Sequence, residues 1–390
     1  MYHQMEMELT KIRNEETLSQ IPGALKKIIS PGLSDSSQIL TNTSFIESNS
    51  ENRSENLGED RQVSPVPVFL NYIKDPGLYE SSNIIQKSPF IEANTEVTTL
   101  FQLENECTTA VFSKDNELTI AHHDFIVAMR ECASKVFGNE VISEPDIRVS
   151  HVIKGRISEA LRKPVQELLP HEKTMYWERL AFVIEIPTIT RVVGGNTLTL
   201  CVGGVRALNH QNLYSKKSVE RFKVFTGFRN KICTNTCVST DGILNDVKVL
   251  SINELKNHIM QLLSSYNMEN HFSQMQNLEN KYLTENQFCQ ILGRGRLYQH
   301  LPKKLKAGIP ELLFNDGQLN AIAKAYFEDE NFSKNENGDI NCWKMYNLLT
   351  GANKSSYIDN FLDKSLNAFH FSEGISKAID GDSAYRWFLS

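Results

Sequence analysis

Two cysteines in KICTNTCVSTDG (231–242), Cys233 and Cys237, are the first residues whose types could do chemistry. Structural zinc takes four ligands, usually as two separated pairs, and this sequence offers no second CxxC and no HxxxH near them. A redox pair wants CxxC at a helix start, whereas CTNTC has one residue more and a strand-like context. In a strand, residues 233, 235 and 237 share a face, so the spacing predicts two buried thiols beside Asn235, with Thr234 and Thr236 opposite. The other cysteines also sit among apolar neighbours, as in TLCVGG and QFCQIL, and their total of seven is odd. Reduced, buried thiols follow, not a disulfide scaffold.

His122-His123-Asp124 invites a metal reading. Adjacent helical residues diverge by about 100° and cannot both face one ion, so a helix-start pair with one exposed histidine is expected. SKNENGDINCWK (333–344) places Asn335, Asn337, Gly338 and Ile340 where a calcium loop wants them. Its first position is Ser333, however, and its twelfth is Lys344 instead of a bidentate Glu. Calcium is rejected, and the segment reads as a solvated Asn/Gly loop. No Walker loop, dinucleotide fingerprint or G-x-S-x-G elbow occurs. Asp241 and Asp359 have no partner set at a supporting spacing, so catalysis is not expected, and neither is a metal or cofactor.

A basic-aromatic stretch carries more. YSKKSVERFKVFTGFRNK (214–231) holds Lys216, Lys217, Arg221, Lys223, Arg229 and Lys231 against Glu220, a local charge of +5 in a chain of net charge -6. Tyr214, Phe222, Phe225 and Phe228 are interleaved with these cations. Cations that track phosphates and rings that stack on unpaired bases are what single-stranded nucleic acid requires. The competing reading makes the rings core and the cations a solvated face. GRGRLYQHLPKKLK (293–306) adds Arg294, Arg296, Lys303, Lys304 and Lys306 with no acid among them. In GANKSSYIDNF (351–361), Lys354, Ser355 and Ser356 precede a helix start, where they could hold a phosphate or cap the helix.

The elements that position these residues divide the chain in three. Residues 1–66, rich in Ser, Asn and Glu, cannot bury enough apolar surface and are expected to be flexible, apart from a short helix around 8–30. Residues 67–250 read as an α+β domain, with helices over 118–138 and, bent at Pro164, over 157–169. RLAFVIEIPTITRVV, a Gly-Gly-Asn turn (194–196) and TLTLCV then make a hairpin, and Gly203-Gly204 marks a further turn. The fold class is therefore α+β, with a small, mostly antiparallel sheet and flanking helices. From residue 251 the pattern is helical, with capping boxes at Ser251/Glu254, Thr284/Gln287 and, more weakly, Ser356/Asp359. No apolar run approaches the ~20 residues that span a bilayer, and the first residues are not a secretory signal. A cytoplasmic protein with no membrane partner is expected.

Three blocks carry a resemblance: GGVRALNHQNLYSKKSVERFKVFTGFRNKICTNTCVSTDG, LTENQFCQILGRGRLYQHLP and CWKMYNLLTGANKSSYIDNFLDKSLNAF. Over residues 90–390 the chain resembles an uncharacterised family carried on plasmids and conjugative transposons of gut anaerobes. It is more distantly similar to the phage/plasmid-like group. The resemblance implies a mobile-DNA context and brings no catalytic residue. The resulting expectation is a non-catalytic protein of a mobile element that binds single-stranded DNA or assists annealing. Its contacts would be Lys216, Lys217, Arg221, Lys223, Arg229, Lys231, Arg294, Arg296 and Lys354. The alternative is a protein–protein interaction factor that counters a host defence.

Overall fold

The computed structural model describes residues 89–107, 119–160, 162–211 and 219–390. The segment 1–66, the helix around 8–30, Tyr214, Lys216 and Lys217 lie outside the described residues. The chain enters through β1 (Glu96–Thr98), α1 (Leu100–Asn105) and α2 (His122–Val136), then passes through β2 (Asp146–Arg156), β3 (Lys173–Val193), β4 (Asn196–Ala207), β5 (Glu220–Asn230), β6 (Thr236–Cys237) and β7 (Ile243–Val249). These strands make one antiparallel seven-stranded sheet in the order β1-β2-β3-β4-β5-β6, with β7 also on β5. The α+β class holds, but the sheet is larger than expected because β3 alone runs for 21 residues. Pro187 does not end that strand; the register shift between Ile186 and Thr190 absorbs it, as a bulge accommodates a residue that cannot donate.

The β3–β4 hairpin turns on Gly194 and Gly195, whose φ values of 54° and 74° suit residues without a Cβ. Gly203-Gly204 is not a turn: both lie inside β4, paired to β3 and β5. A Cβ at Gly203 would strike the Phe182 carbonyl, and one at Gly204 the Phe125 ring, so these glycines let neighbouring groups pack against the strand. The expected helix over 157–169 is replaced by short 3-10 turns, Ser158–Ala160 and Val165–Glu167. Pro164 lacks the N–H that would carry a helix through.

Both faces of the sheet are covered, which is why β4 is buried at every position except Thr197. On one face Phe125 of α2 meets Phe182 and Phe222 edge-on, at centroid distances of 5.0 and 4.8 Å. α3 (Ile252–Ser265) joins this layer, burying Leu255, Ile259, Leu262 and Leu263 along one helical stripe. On the other face Ala181, Val183, Cys201, Val205 and Phe225 pack against Ile358, Phe361 and Leu362.

The remaining chain is helical: α4 (Met268–Glu279), β8 (Tyr282–Leu283), α5 (Glu285–His300), α6 (Lys303–Lys306), α7 (Asp316–Glu328), β9 (Ile340–Asn341), α8 (Cys342–Asn353) and α9 (Ile358–Ile379). The described residues all belong to one compact unit. Thr284 and Gln287 form the full capping box of α5, while Ser251 accepts only the Glu254 N–H ahead of α3. The Ser356/Asp359 box does not form. Tyr357 stands at the N-cap of α9 without a side-chain bond, and the Ser356 hydroxyl instead accepts from Gln318 at 2.9 Å. Among the described residues no helix is long and apolar enough to cross a membrane.

Candidate functional site

The pleat of β5 sends Arg221, Lys223 and Arg229 to one side and Phe222 and Phe228 to the other. Phe222, Phe225 and Phe228 are each no more than 1% exposed, so none offers a ring to a base. Phe225 shares the cation face but lies beneath α9. Each of the three cations is matched by a carboxylate. Arg221 lies 3.8 Å from Asp246 at the surface. Lys223 reaches Asp363 at 2.7 Å and donates to the Asp359 carbonyl at 3.1 Å. Arg229 is buried between Asp146 (2.7 Å) and Glu185 (3.1 Å), with its guanidinium over Phe90. A desolvated guanidinium paired in this way ties β5 to carboxylates of β2 and β3 and has no free charge for a phosphate. Lys231 is exposed at the strand end, its backbone N–H on the Thr197 carbonyl.

Lys354 is not at a phosphate site either. It is 7% exposed and closes the C-terminus of α8, where its ammonium donates to the Cys233 carbonyl and to Thr234 Oγ1 (3.1 Å). Burial lowers its pKa. The CTNTC segment it grips is only partly a strand. Thr236 and Cys237 pair with β5, but Thr234 turns the chain with φ 59°, a rare conformation for a β-branched residue. Cys233, Asn235, Asp329, Asn347 and Lys354 line a cavity of about 320 Å³ at this junction. Burial pushes the Cys233 thiol up to about 11 and that of Cys237 up to about 12, so neither is a thiolate at neutral pH. His210 and Asp241 lie elsewhere: His210 faces Asp359 at 3.6 Å, and Asp241 accepts from Ser239 and the Asn267 N–H.

On α5, Arg294 stacks 5.0 Å from Trp387 and donates to the Ser390 carbonyl, while Arg296 pairs with Asp316 at 3.1 Å. Lys306 donates to the Gln299 carbonyl. Lys303 and Lys304 are exposed and have no carboxylate within ion-pair reach among the described residues.

A second cationic region carries the larger cavity, about 730 Å³, where β2 and β3 run past the rest of the sheet. Lys154, Arg156 and Lys173 line it, with Glu106 the single acid among the described lining residues. The register sets Arg156 directly opposite Lys173, a like-charge pair that costs stability unless an anion sits between them. Arg156 spends one N–H on the Lys163 carbonyl, whereas Lys154 and Lys173 are exposed without a carboxylate partner among the described residues. Val152, Val165 and Leu169 stand exposed nearby, at 44%, 63% and 49%.

Residues 78–389 match the protein family described as a domain of unknown function, B. Theta gene description (DUF3871). The chain belongs to this family. No curated protein and no solved structure matches it.

The family domain thus holds two kinds of cation. Of the described cations in the basic-aromatic stretch, Arg221, Lys223 and Arg229 are paired and Lys231 is exposed, while Lys154 and Lys173 at the β2–β3 end are open. Sequence reasoning missed Lys154, Arg156 and Lys173 because no short window contains all three; only the β2–β3 register joins them. Among the described residues of the domain no group of three or more His, Cys, Asp or Glu is placed to hold a metal ion. His122 is buried and stacked on Tyr176 at 4.4 Å, and burial holds its pKa well below the usual range; His123 is half-buried, 3.4 Å from Asp124 and 3.9 Å from Glu104.

Proposed function

We propose that this protein binds nucleic acid non-catalytically, single-stranded DNA in the first instance, through the open end of β2 and β3. The observation that carries this reading is the cluster of Lys154, Arg156 and Lys173, against Glu106 alone among the described lining residues, around a cavity of about 730 Å³. Phosphates would relieve the Arg156–Lys173 repulsion, and the exposed Val152, Val165 and Leu169 offer apolar surface for bases. Lys303 and Lys304 supply a further free pair of charges. The resemblance to families of plasmids and conjugative transposons supports a cytoplasmic role on mobile DNA, in binding single strands or assisting annealing.

The test is binding of a labelled single strand across a salt series. Binding that weakens with salt, and weakens further in Lys154→Glu/Lys173→Glu, supports the reading. No binding at low salt overturns it, and an unchanged affinity in the double variant removes this surface from the account.

A second reading, a protein-interaction factor countering a host defence, rests on α5 and α6, where Leu297 and Leu305 are each 59% exposed beside Arg296, Lys303 and Lys304. Host partners retained after nuclease treatment, and lost in Leu297→Asp, would favour it over the first.

A further inference from the structure

Two helix–loop–helix units face each other in the helical half, α4–β8–α5 and α7–β9–α8. Their loops meet through the antiparallel pairs Leu283–Ile340 and Tyr282–Asn341. Both loops follow one pattern: the residue after the paired Leu283 or Ile340 caps the outgoing helix. Thr284 accepts the Gln287 N–H at 3.3 Å, and Asn341 accepts the Lys344 N–H at 2.8 Å. The helices also pair across the units, α4 with α8 and α5 with α7.

The second loop repeats the plan of a calcium-binding loop. With Ser333 first, Asn335, Asn337 and Asn341 fall at the third, fifth and ninth positions, and the Asp339 carbonyl at the seventh. Gly338, at the sixth, has φ 88°, as the sharp turn of such loops demands. The Asn335 N–H donates to the Asp339 carbonyl at 2.8 Å, and the Gly338 N–H to the Asn335 carbonyl at 3.0 Å, closing the ring. The twelfth position, which carries a bidentate carboxylate in calcium loops, is Lys344. Its ammonium turns back into the loop, 2.8 Å from the Ser333 carbonyl and 3.5 Å from Asn335 Oδ1. A positive charge therefore bridges first- and third-position oxygens, and it is covalently part of the chain.

The face that calcium sensors open toward an amphipathic helix is covered here by the chain itself. Phe369 of α9 packs on Tyr346 of α8 at 6.0 Å and on His271 of α4 at 5.1 Å. Phe371 meets Phe388, which in turn packs on Tyr298 of α5.

We propose that residues 268–353 form a pair of helix–loop–helix units of which the second keeps a calcium-type loop that works without calcium: the Lys344 ammonium is its built-in cation, and α9 is the helix bound by the pair. The segment 333–344 is thus more than a solvated Asn/Gly loop. The calcium loop is retained as a rigid clamp, and a divalent ion is excluded because its place and its charge are already taken.

The full-length chain tests this by thermal melting in CaCl2 and in EDTA, for the native protein and for Ser333→Asp/Lys344→Glu. The native protein should melt at the same temperature in both, and the double variant should melt lower in EDTA and recover in millimolar CaCl2. Calcium-dependent melting of the native protein, or a folded double variant that ignores calcium, overturns the proposal. Should the double variant not fold, Lys344→Gln decides by hydrogen exchange: the Asn335 and Gly338 amides should exchange roughly ten-fold faster once the charge-assisted bonds are gone. Unchanged exchange there also overturns the proposal.

Discussion

Acid should loosen the join between the sheet and the helical half, and His271 sets the scale. This imidazole is fully buried among Phe228 of β5, Phe369 of α9 and Tyr266, and its Nδ1 lies 2.7 Å from the Tyr266 hydroxyl. The ring is neutral, its Nδ1 and the Tyr266 hydroxyl share one hydrogen bond, and its Nε2 has no partner among the described residues. Burial lowers its pKa to about 3, and the Asp241 charge opposes the shift. The unfolded chain titrates near the ordinary value of about 6.5. Between these two values the unfolded state binds a proton that the folded state refuses, so stability falls as pH drops. The slope is roughly 1.36 kcal/mol per pH unit, which at about pH 5 is a loss of about 2 kcal/mol relative to about pH 7.5. That is a large share of a typical net stability of roughly 5–15 kcal/mol.

Urea unfolding of the native protein and of His271→Phe at both pH values measures it. At neutral pH the variant should be weaker by roughly 1–3 kcal/mol, because the buried Tyr266 hydroxyl loses its hydrogen-bond partner. Toward pH 5 that gap should close by about 2 kcal/mol, since phenylalanine takes no proton. His122 keeps its own acid sensitivity in both proteins and cancels in the comparison. Equal losses in the two proteins would refute the buried neutral imidazole.

Three further outcomes are expected. Arg206 is fully buried over Phe222 and bound to Glu220 and the Ile120 carbonyl, so Glu220→Ala should cost about 3–5 kcal/mol in denaturant titration by stranding its charge. If Lys154 and Lys173 each touch a phosphate, reversing both should flatten the plot of log affinity against log salt by about 1.4, or about 0.7 per contact. A disulfide reagent at mildly alkaline pH should modify Cys289 well ahead of the rest, as shown by peptide mapping: it is the one exposed thiol, and burial raises Cys233, Cys237 and Cys342 to about 11, 12 and 12.

Local pattern by itself determined much of the architecture. Apolar stripes placed α2 and α3, the Thr284/Gln287 pair placed the start of α5, and Gly194-Gly195 placed the β3–β4 turn, because each is decided by neighbours within a few residues. The cysteine reading held for five of the seven thiols, which are buried, but not for Cys289 of QFCQIL, which is exposed, nor fully for Cys233, which is half-buried. Tertiary structure decided which charges are free. Arg229 and Lys354 look like surface cations in the sequence, yet Asp146, Glu185 and the Cys233 carbonyl wait for them from elements distant along the chain. Lys154 and Lys173 look unremarkable until the strand register brings their neighbourhood together. Alternation shows which side of a strand a residue occupies, but not whether that side meets water, a helix or a carboxylate. In this protein both sides of the sheet are covered, so a basic strand became part of the interior and the open charge moved to the strand ends.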